Sequence, residues 1–438
     1  MSPPMSASVQ TTAATTTAAP SCAPVAGPGA GRSAVRPDPA AADPAAPGVA
    51  APAAGPFDRA PRLALLDVTR LAAALSVVLY HWTAWHHTRF STDGRVALEV
   101  WPVLGRLTAL GALGVQLFFL VSGLVIVLSV VGRTPAQYVG SRIGRLYPAY
   151  WAAVPAAALL VFVLWPEVGA ARSPAEILPN LTMLQGGMGG VGHLDGVYWT
   201  LWVELKFYAT VLVVMLLRWT TPGRLLAFAV GWPVLGTLLA GLSSAVGTGE
   251  EAVSHVLFPE YSALFAAGIV LYLLHRHGHT PPRWAALLVC SGLAAAWSAP
   301  FQARETLETT GLDVSVLLVA GVVLAMVAWV AVTVLSSAAR WRIPGAKAAG
   351  ALTYPLYLFH QLWGWWLIGL LVPLFGPRWT LPLVLAVLLT WSWAVHRWIE
   401  RPLGSRLRDA VTGALKRVPG LRRRVPSSCG APVPRAPV

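Results

Sequence analysis

Ten stretches of this chain are each apolar and long enough to cross a lipid bilayer: residues 65–85, 107–131, 147–165, 199–217, 225–242, 257–274, 284–300, 313–338, 349–373 and 380–396. A helix needs roughly 20 residues to traverse the hydrocarbon, and there every backbone N–H and C=O must be bonded within the protein. The fold class open to such a chain is all-α, a polytopic transmembrane helix bundle of about ten spans. Composition agrees, since only 11% of the 438 residues are charged, against roughly 25% in soluble domains.

The links between the stretches give an orientation. Those after spans 2, 4, 6 and 8 carry Arg133, Arg142 and Arg145, then Arg218 and Arg224, then Arg276 and Arg283, then Arg340, Arg342 and Lys347. Those after spans 3, 5 and 7 hold seven acidic residues, opposed only by Arg172 and Arg304. Basic short links stay in the cytoplasm, so both termini are expected there. The net charge of +14 is therefore read as contact with anionic membrane lipids, and no nucleic-acid partner is predicted.

Outside the spans the chain changes character. Residues 1–56 are rich in Ala, Pro and Thr, with no aromatic residue before Phe57, and predict a disordered tail. They lack the basic end and apolar core of a cleaved signal, so the first span is expected to direct insertion. The membrane domain is assigned to 57–400 and a basic cytoplasmic tail to 401–438; from Arg397 onward ten basic residues face two acidic ones. That tail is read as a solvated end touching anionic lipid. Cys22, Cys290 and Cys429 are too scattered for a disulfide framework, and the histidines lack metal-ligand spacing, so no metal is expected.

The polar residues inside the spans carry the chemistry. The first span, "LDVTRLAAALSVVLYH", contains Asp67, Arg70 and His81. Arg70 and His81 are eleven residues apart, which at ~100° and ~1.5 Å per residue puts them on one face about 16 Å apart, with His81 in the outer half. Asp67, three residues before Arg70, reaches the same face and can hold the guanidinium. An interfacial Asp67–Arg70 pair with His81 as an interhelical hydrogen bond accounts for the same residues. In the fourth span, "YWTLWVELKFY", Glu204 is also placed in the outer part, where a carboxylate is costly unless paired; it and His81 are expected to meet, the carboxylate orienting a histidine that removes a hydroxyl proton.

Three further motifs follow. "GVQLFFLVSGLVI" places Ser122 near mid-membrane between packing glycines, a hydroxyl better read as structural than as a nucleophile. In "RIGRLYPAYW", Arg142 and Arg145 are three residues apart and share a face, either as a phosphate grip or as a positive-inside anchor. "LTYPLYLFHQ" presents Tyr354 and Tyr357 at helical spacing with His360 near mid-span; helix packing explains most of it, with substrate contacts open to Tyr357 and His360.

Taken in order, "RLALLDVTRLAAALSVVLYH", "GVQLFFLVSGLVI", "RIGRLYPAYW", "YWTLWVELKFY" and "TYPLYLFH" make a chain that resembles the integral membrane acyltransferases of type 3, over residues 61 to about 400. These are O-acyltransferases acting on sugars, envelope polymers or secondary metabolites. The resemblance implies ten helices and an acyl group, most often acetyl, drawn from cytoplasmic acyl-CoA as co-substrate, with no permanently bound cofactor. It places the family's Arg and His on Arg70 and His81, its paired arginines on Arg142 and Arg145, its carboxylate on Glu204, and its late tyrosines on Tyr354 and Tyr357. Leu124 stands where the family more often has Phe, a packing change. No esterase-like domain is expected after the last span.

The expected activity is transfer of an acyl group from acyl-CoA, with acetyl-CoA as the donor the resemblance favours, to a hydroxyl of a carbohydrate, glycoside or lipid-linked glycan. His81, Glu204 and Arg70 are expected at the reacting atoms, and Arg142, Arg145 and Tyr357 at the donor. The alternative is a polytopic exporter of a glycan or small molecule, which would share the polar stripe but have no need of a base or a CoA grip.

Overall fold

The computed structural model describes residues 63–86 and 94–423, so the predicted tail over 1–56 lies outside the described residues. The long helices are α1 (Ala64–Thr83), α2 (Gly114–Val130), α3 (Pro135–Leu159), α4 (Trp199–Leu216), α5 (Pro222–Val246), α6 (Pro259–His277), α7 (Pro281–Thr310), α8 (Val316–Leu335), α9 (Ala346–Phe359), α10 (Leu362–Val395) and α11 (Arg401–Leu415). Nine helical segments among the described residues are long and apolar enough to cross a membrane. Their outer faces leave Leu317, Leu374, Trp379 and Trp398 exposed, as lipid-facing surface requires. The chain is a multi-pass membrane protein.

The ninth of those segments runs through α10 to Leu415 and is not a single rod. Gly376 breaks α10 with φ 70° and ψ 163°, between Pro373 and Pro377. The rings of Phe359 and Trp391 lie 5.9 Å apart, whereas a straight helix would separate them by roughly 45 Å. The chain therefore doubles back at Gly376, a residue without a Cβ to oppose positive φ.

Two helix boundaries differ from the expected spans in ways that matter for function. The third span was expected to begin at the Tyr147–Pro148 step, but α3 starts twelve residues earlier, at Pro135. Thr134 caps it: its hydroxyl accepts from the Gln137 N–H at 3.1 Å and the Gln137 side chain returns a bond to the Thr134 N–H at 2.9 Å. Arg142 and Arg145 thus sit on a helix rather than in a link. The stretch expected over 349–373 is broken at His360–Gln361, between α9 and α10.

Helices α2 and α6 cross at backbone contact. A Cβ on Gly123 would collide with the Phe265 carbonyl, and one on Gly268 with the Leu120 carbonyl. Small residues let membrane helices approach at backbone distance, where dispersion replaces the missing hydrophobic drive. Gly268→Val is expected to destabilise the protein by about 3 kcal/mol, because neither backbone can retreat; a lowered thermal midpoint in detergent checks this.

Beyond α10 the described part of the basic tail, up to residue 423, is largely exposed and begins as a helix. Helix α11 docks on α3 along a seam of small residues, Gly140 and Gly144 against Gly404, Arg408 and Thr412, and the Ala136 N–H donates to the Leu421 carbonyl at 3.2 Å.

Candidate active site

A cavity of about 470 Å³, counted with the open space at its mouth, lies between α1, α2, α4 and α9. Arg70, Ser122, Glu204 and Tyr357 supply its polar wall, and Val115, Phe118, Phe119 and Leu201 its apolar one. Glu204 accepts from the Tyr208 hydroxyl at 2.6 Å and from Ser122 at 3.2 Å. Tyr208 follows Glu204 by one helical turn, so the two side chains meet on the same face. Arg70 feels attraction from Glu204 and Asp67 and repulsion from Arg145, which places Arg145 at the same end of the cavity. Arg142 lies over the rings of Tyr138 and Tyr208, 5.8 and 5.7 Å from their centroids.

The cavity walls are tied together by buried hydroxyls. Tyr354 donates to the Leu146 carbonyl at 3.0 Å, fixing α9 to α3 beside Arg145. Tyr357 and Thr200 bond through their hydroxyls at 3.0 Å, fixing α9 to α4. Asp67 packs against Gly350, where a Cβ would collide with its carboxylate.

At the other end of α1, His81 meets a second histidine. His81 Nδ1 lies 2.9 Å from the Val77 carbonyl and 3.1 Å from His360 Nε2, while His360 Nδ1 lies 2.7 Å from the Tyr357 carbonyl. Carbonyls only accept, so both Nδ1 atoms carry protons. His360 Nε2 is then an acceptor for His81, and Nε2 of His81 carries the lone pair. Two backbone carbonyls, those of Val77 and Tyr357, set the tautomers of the pair.

The helix break at His360–Gln361 is held by reciprocal bonds. Trp82 donates its indole N–H to the His360 carbonyl, and Trp365 donates to the His81 carbonyl, each at 2.8 Å. Both carbonyls lie at helix ends and lack an intrahelical partner. A broken helix survives at membrane depth only where protein groups replace the lost bonds. Trp85 stacks on the His81 ring at 5.2 Å, and Gly364 gives the Trp82 indole its room.

A family model described as an acyltransferase domain matches residues 63–397. The chain belongs to this acyltransferase family. Among curated proteins, the acyltransferase is 25% identical over 378 residues to nodulation protein 10 of Rhizobium leguminosarum bv. viciae, covering 82% of this chain and 93% of that protein. It is 30% identical over 277 residues to the exopolysaccharide production protein ExoZ of Rhizobium meliloti (strain 1021), covering 57% of this chain and 76% of that one. No solved structure matches it significantly. The protein is thus a membrane acyltransferase of the inner membrane, related to proteins named for nodulation and exopolysaccharide production.

In the acyltransferase, the residues singled out from sequence separate into two groups joined by Tyr357. Arg70, Ser122, Glu204, Tyr354 and Tyr357 line the cavity, with Asp67, Arg142 and Arg145 at its basic end. His81 and His360 form a pair toward the C-terminal end of α1, outside the cavity lining. The His81 ring bonds the Val77 carbonyl and His360, whereas Glu204 is engaged with Ser122 and Tyr208. Lys206 turns away from Glu204 and donates to the Ser254 carbonyl at 3.2 Å.

Several residues of the site were not singled out: Tyr208, Thr200, and the tryptophans Trp82, Trp85 and Trp365. A second polar cluster, beside α4, was also missed. Asp195 caps the turn into α4 by accepting from the Val197 N–H at 3.1 Å. Burial pushes its carboxyl up to about 7, against the opposing effect of the Val197 and Leu362 N–H groups. The sequence signal was an Asp four residues before an aromatic-rich helix.

Proposed function

We propose that this membrane acyltransferase moves a short acyl group, such as acetyl, from acyl-CoA to a hydroxyl of a carbohydrate acceptor. The observation that carries this reading is the His81–His360 pair, whose fixed tautomer gives His81 an unprotonated Nε2. The proposed topology has ten spans, 346–375 and 377–395 each crossing once, with both termini in the cytoplasm. The basic end of the cavity then faces the cytoplasm, where acyl-CoA is found, and His81 lies toward the outer half.

In this reading Arg142 and Arg145 hold the CoA phosphates and the pantetheine arm passes Arg70. The thioester lies in the cavity, its acyl group against Val115, Phe118, Phe119 and Leu201. His81 Nε2 takes the proton of the acceptor hydroxyl as its oxygen bonds to the thioester carbonyl carbon. The Tyr357 hydroxyl stabilises the resulting oxyanion. Collapse breaks the C–S bond, and the His81 imidazolium returns its proton to the CoA thiolate. Glu204 compensates the cationic wall, and a site shut off from water protects the thioester from hydrolysis.

The test is transfer of label from radiolabelled acetyl-CoA to a pool of glycosides and bacterial glycans by the full chain in nanodiscs. Acceptor-dependent incorporation supports the reading; glycan movement across a membrane with no incorporation supports the exporter instead. His360 is a positioning residue, because its ring acts through His81. His360→Ala is expected to lower kcat by about 10- to 100-fold with the acyl-CoA KM unchanged. His360→Gln, whose side-chain oxygen can still accept from His81, is expected to recover part of the loss; equal loss in both variants would mean packing alone.

A further inference from the structure

Three of the five buried side-chain polar atoms that lack a hydrogen-bond partner among the described residues lie in one place: Gln185 Oε1, the Tyr198 hydroxyl and Gln361 Oε1. Their contacts make them one cluster. The Gln185 amide nitrogen bonds both Tyr150 and His193 at 3.1 Å, and the Tyr150 ring packs edge-on against Tyr198 at 5.1 Å. Asp195 bears electrostatically on both tyrosines and accepts from the Leu362 N–H, next to Gln361. These side chains are all at least nine-tenths buried save His193. Buried polar atoms are costly to leave unmade, so three together point to a partner that brings hydroxyls.

The chemistry of the cluster narrows that partner. As placed, the Gln185 amide nitrogen faces Tyr150 and His193, and the Gln185 and Gln361 carbonyl oxygens are left to accept from a donor, while the Tyr198 hydroxyl can give or take. An anion supplies no donor and is repelled by Asp195 once ionised. A neutral polyol supplies adjacent hydroxyls that donate and accept at once. Gly196 is exposed between buried Asp195 and Val197, directly above the cluster. A Cβ there would stand 2.8 Å from Gln361 Oε1, so the surface is one backbone thick above the amide. Gln361 directly follows His360, whose ring bonds His81.

We propose that Gln185, Asp195, Tyr198 and Gln361 form a recognition subsite for the hydroxyls of a neutral sugar, reached past Gly196, that presents the acceptor to His81. This rests on the carbohydrate acyl-transfer reading above and names where that acceptor binds.

The experiment uses the full chain in nanodiscs and a pool of methyl glycosides of neutral hexoses at high concentration. Hydrogen exchange is read by mass spectrometry on peptides covering 183–198 and 357–366, with acetyl transfer measured in parallel. Protection of both peptides is expected, with half-saturation raised about tenfold in Tyr198→Phe and Gln361→Leu and the acetyl-CoA KM unmoved. Gly196→Ala is expected to block the way in, with an unchanged thermal midpoint showing that it folds. No protection in the wild type, or protection identical in all three variants, overturns the subsite. Protection without transfer keeps the subsite and removes the acyl-transfer reading; transfer without protection removes the subsite alone.

Discussion

His81→Ala is expected to lower acceptor-dependent acyl transfer by about 10²- to 10⁴-fold, the range supplied by a positioned general base. The expectation rests on the tautomer argument: Val77 and His360 fix the proton on Nδ1 and so assign the lone pair to Nε2. The substitution is a fair test of chemistry because Trp365 bonds the His81 backbone carbonyl, which alanine retains. The ring contacts with Tyr80, Trp85, His360 and Trp365 and the Nδ1 bonds to Val77 and His360 are lost, so folding is checked directly. His81→Gln, closer in volume, serves as a second variant, and thermal midpoints establish that both fold. Loss of kcat with an unchanged acyl-CoA KM is the result expected of a base. Full transfer in a folded His81→Ala protein would remove the histidine from the reaction and leave it an interhelical tie.

The helical bundle was legible because hydropathy over a 20-residue window reflects a solvent, the bilayer, that acts on each segment separately. The face shared by Asp67, Arg70 and His81 was legible because it depends only on helical period. What acts between helices was harder to read. Glu204 and His81 are both polar residues assigned to the outer part of the membrane, and the sequence offered them as partners. Pairing across helices depends on rotation and depth together, and these bring Tyr208 and Ser122 to Glu204 and His360 to His81. The third stretch was bounded at Tyr147 because Arg142 and Arg145 end the apolar run just before it. Yet α3 runs through Pro148 and Pro155, as neighbouring helices allow in a membrane. The true start was written in Thr134 and Gln137, a capping box that hydropathy alone overlooks. The reciprocal tryptophan clasp left no signal in a chain with 20 tryptophans.

The double substitution Arg142→Gln with Arg145→Gln is expected to raise the acyl-CoA KM by about 100-fold, since each charged hydrogen bond to phosphate contributes about 1.5–3 kcal/mol and the two share one ligand. Helix α3 places both side chains half-buried on one face, one over the Tyr138 and Tyr208 rings and the other within reach of Arg70. The same arginines would also serve as a positive-inside anchor, and the choice of donor separates the two roles. An acyl-pantetheine carries the thioester but not the nucleotide phosphates. If the arginines grip phosphate, the double variant uses acyl-pantetheine as well as the wild type does, and high salt weakens the wild-type preference for acyl-CoA over it. If they only anchor the helix, the variant loses on both donors alike or on neither. Arg142 also contributes packing through its contact with the two tyrosines, so Arg145→Gln alone, expected to give about a tenfold rise, guards against a loss that is merely structural.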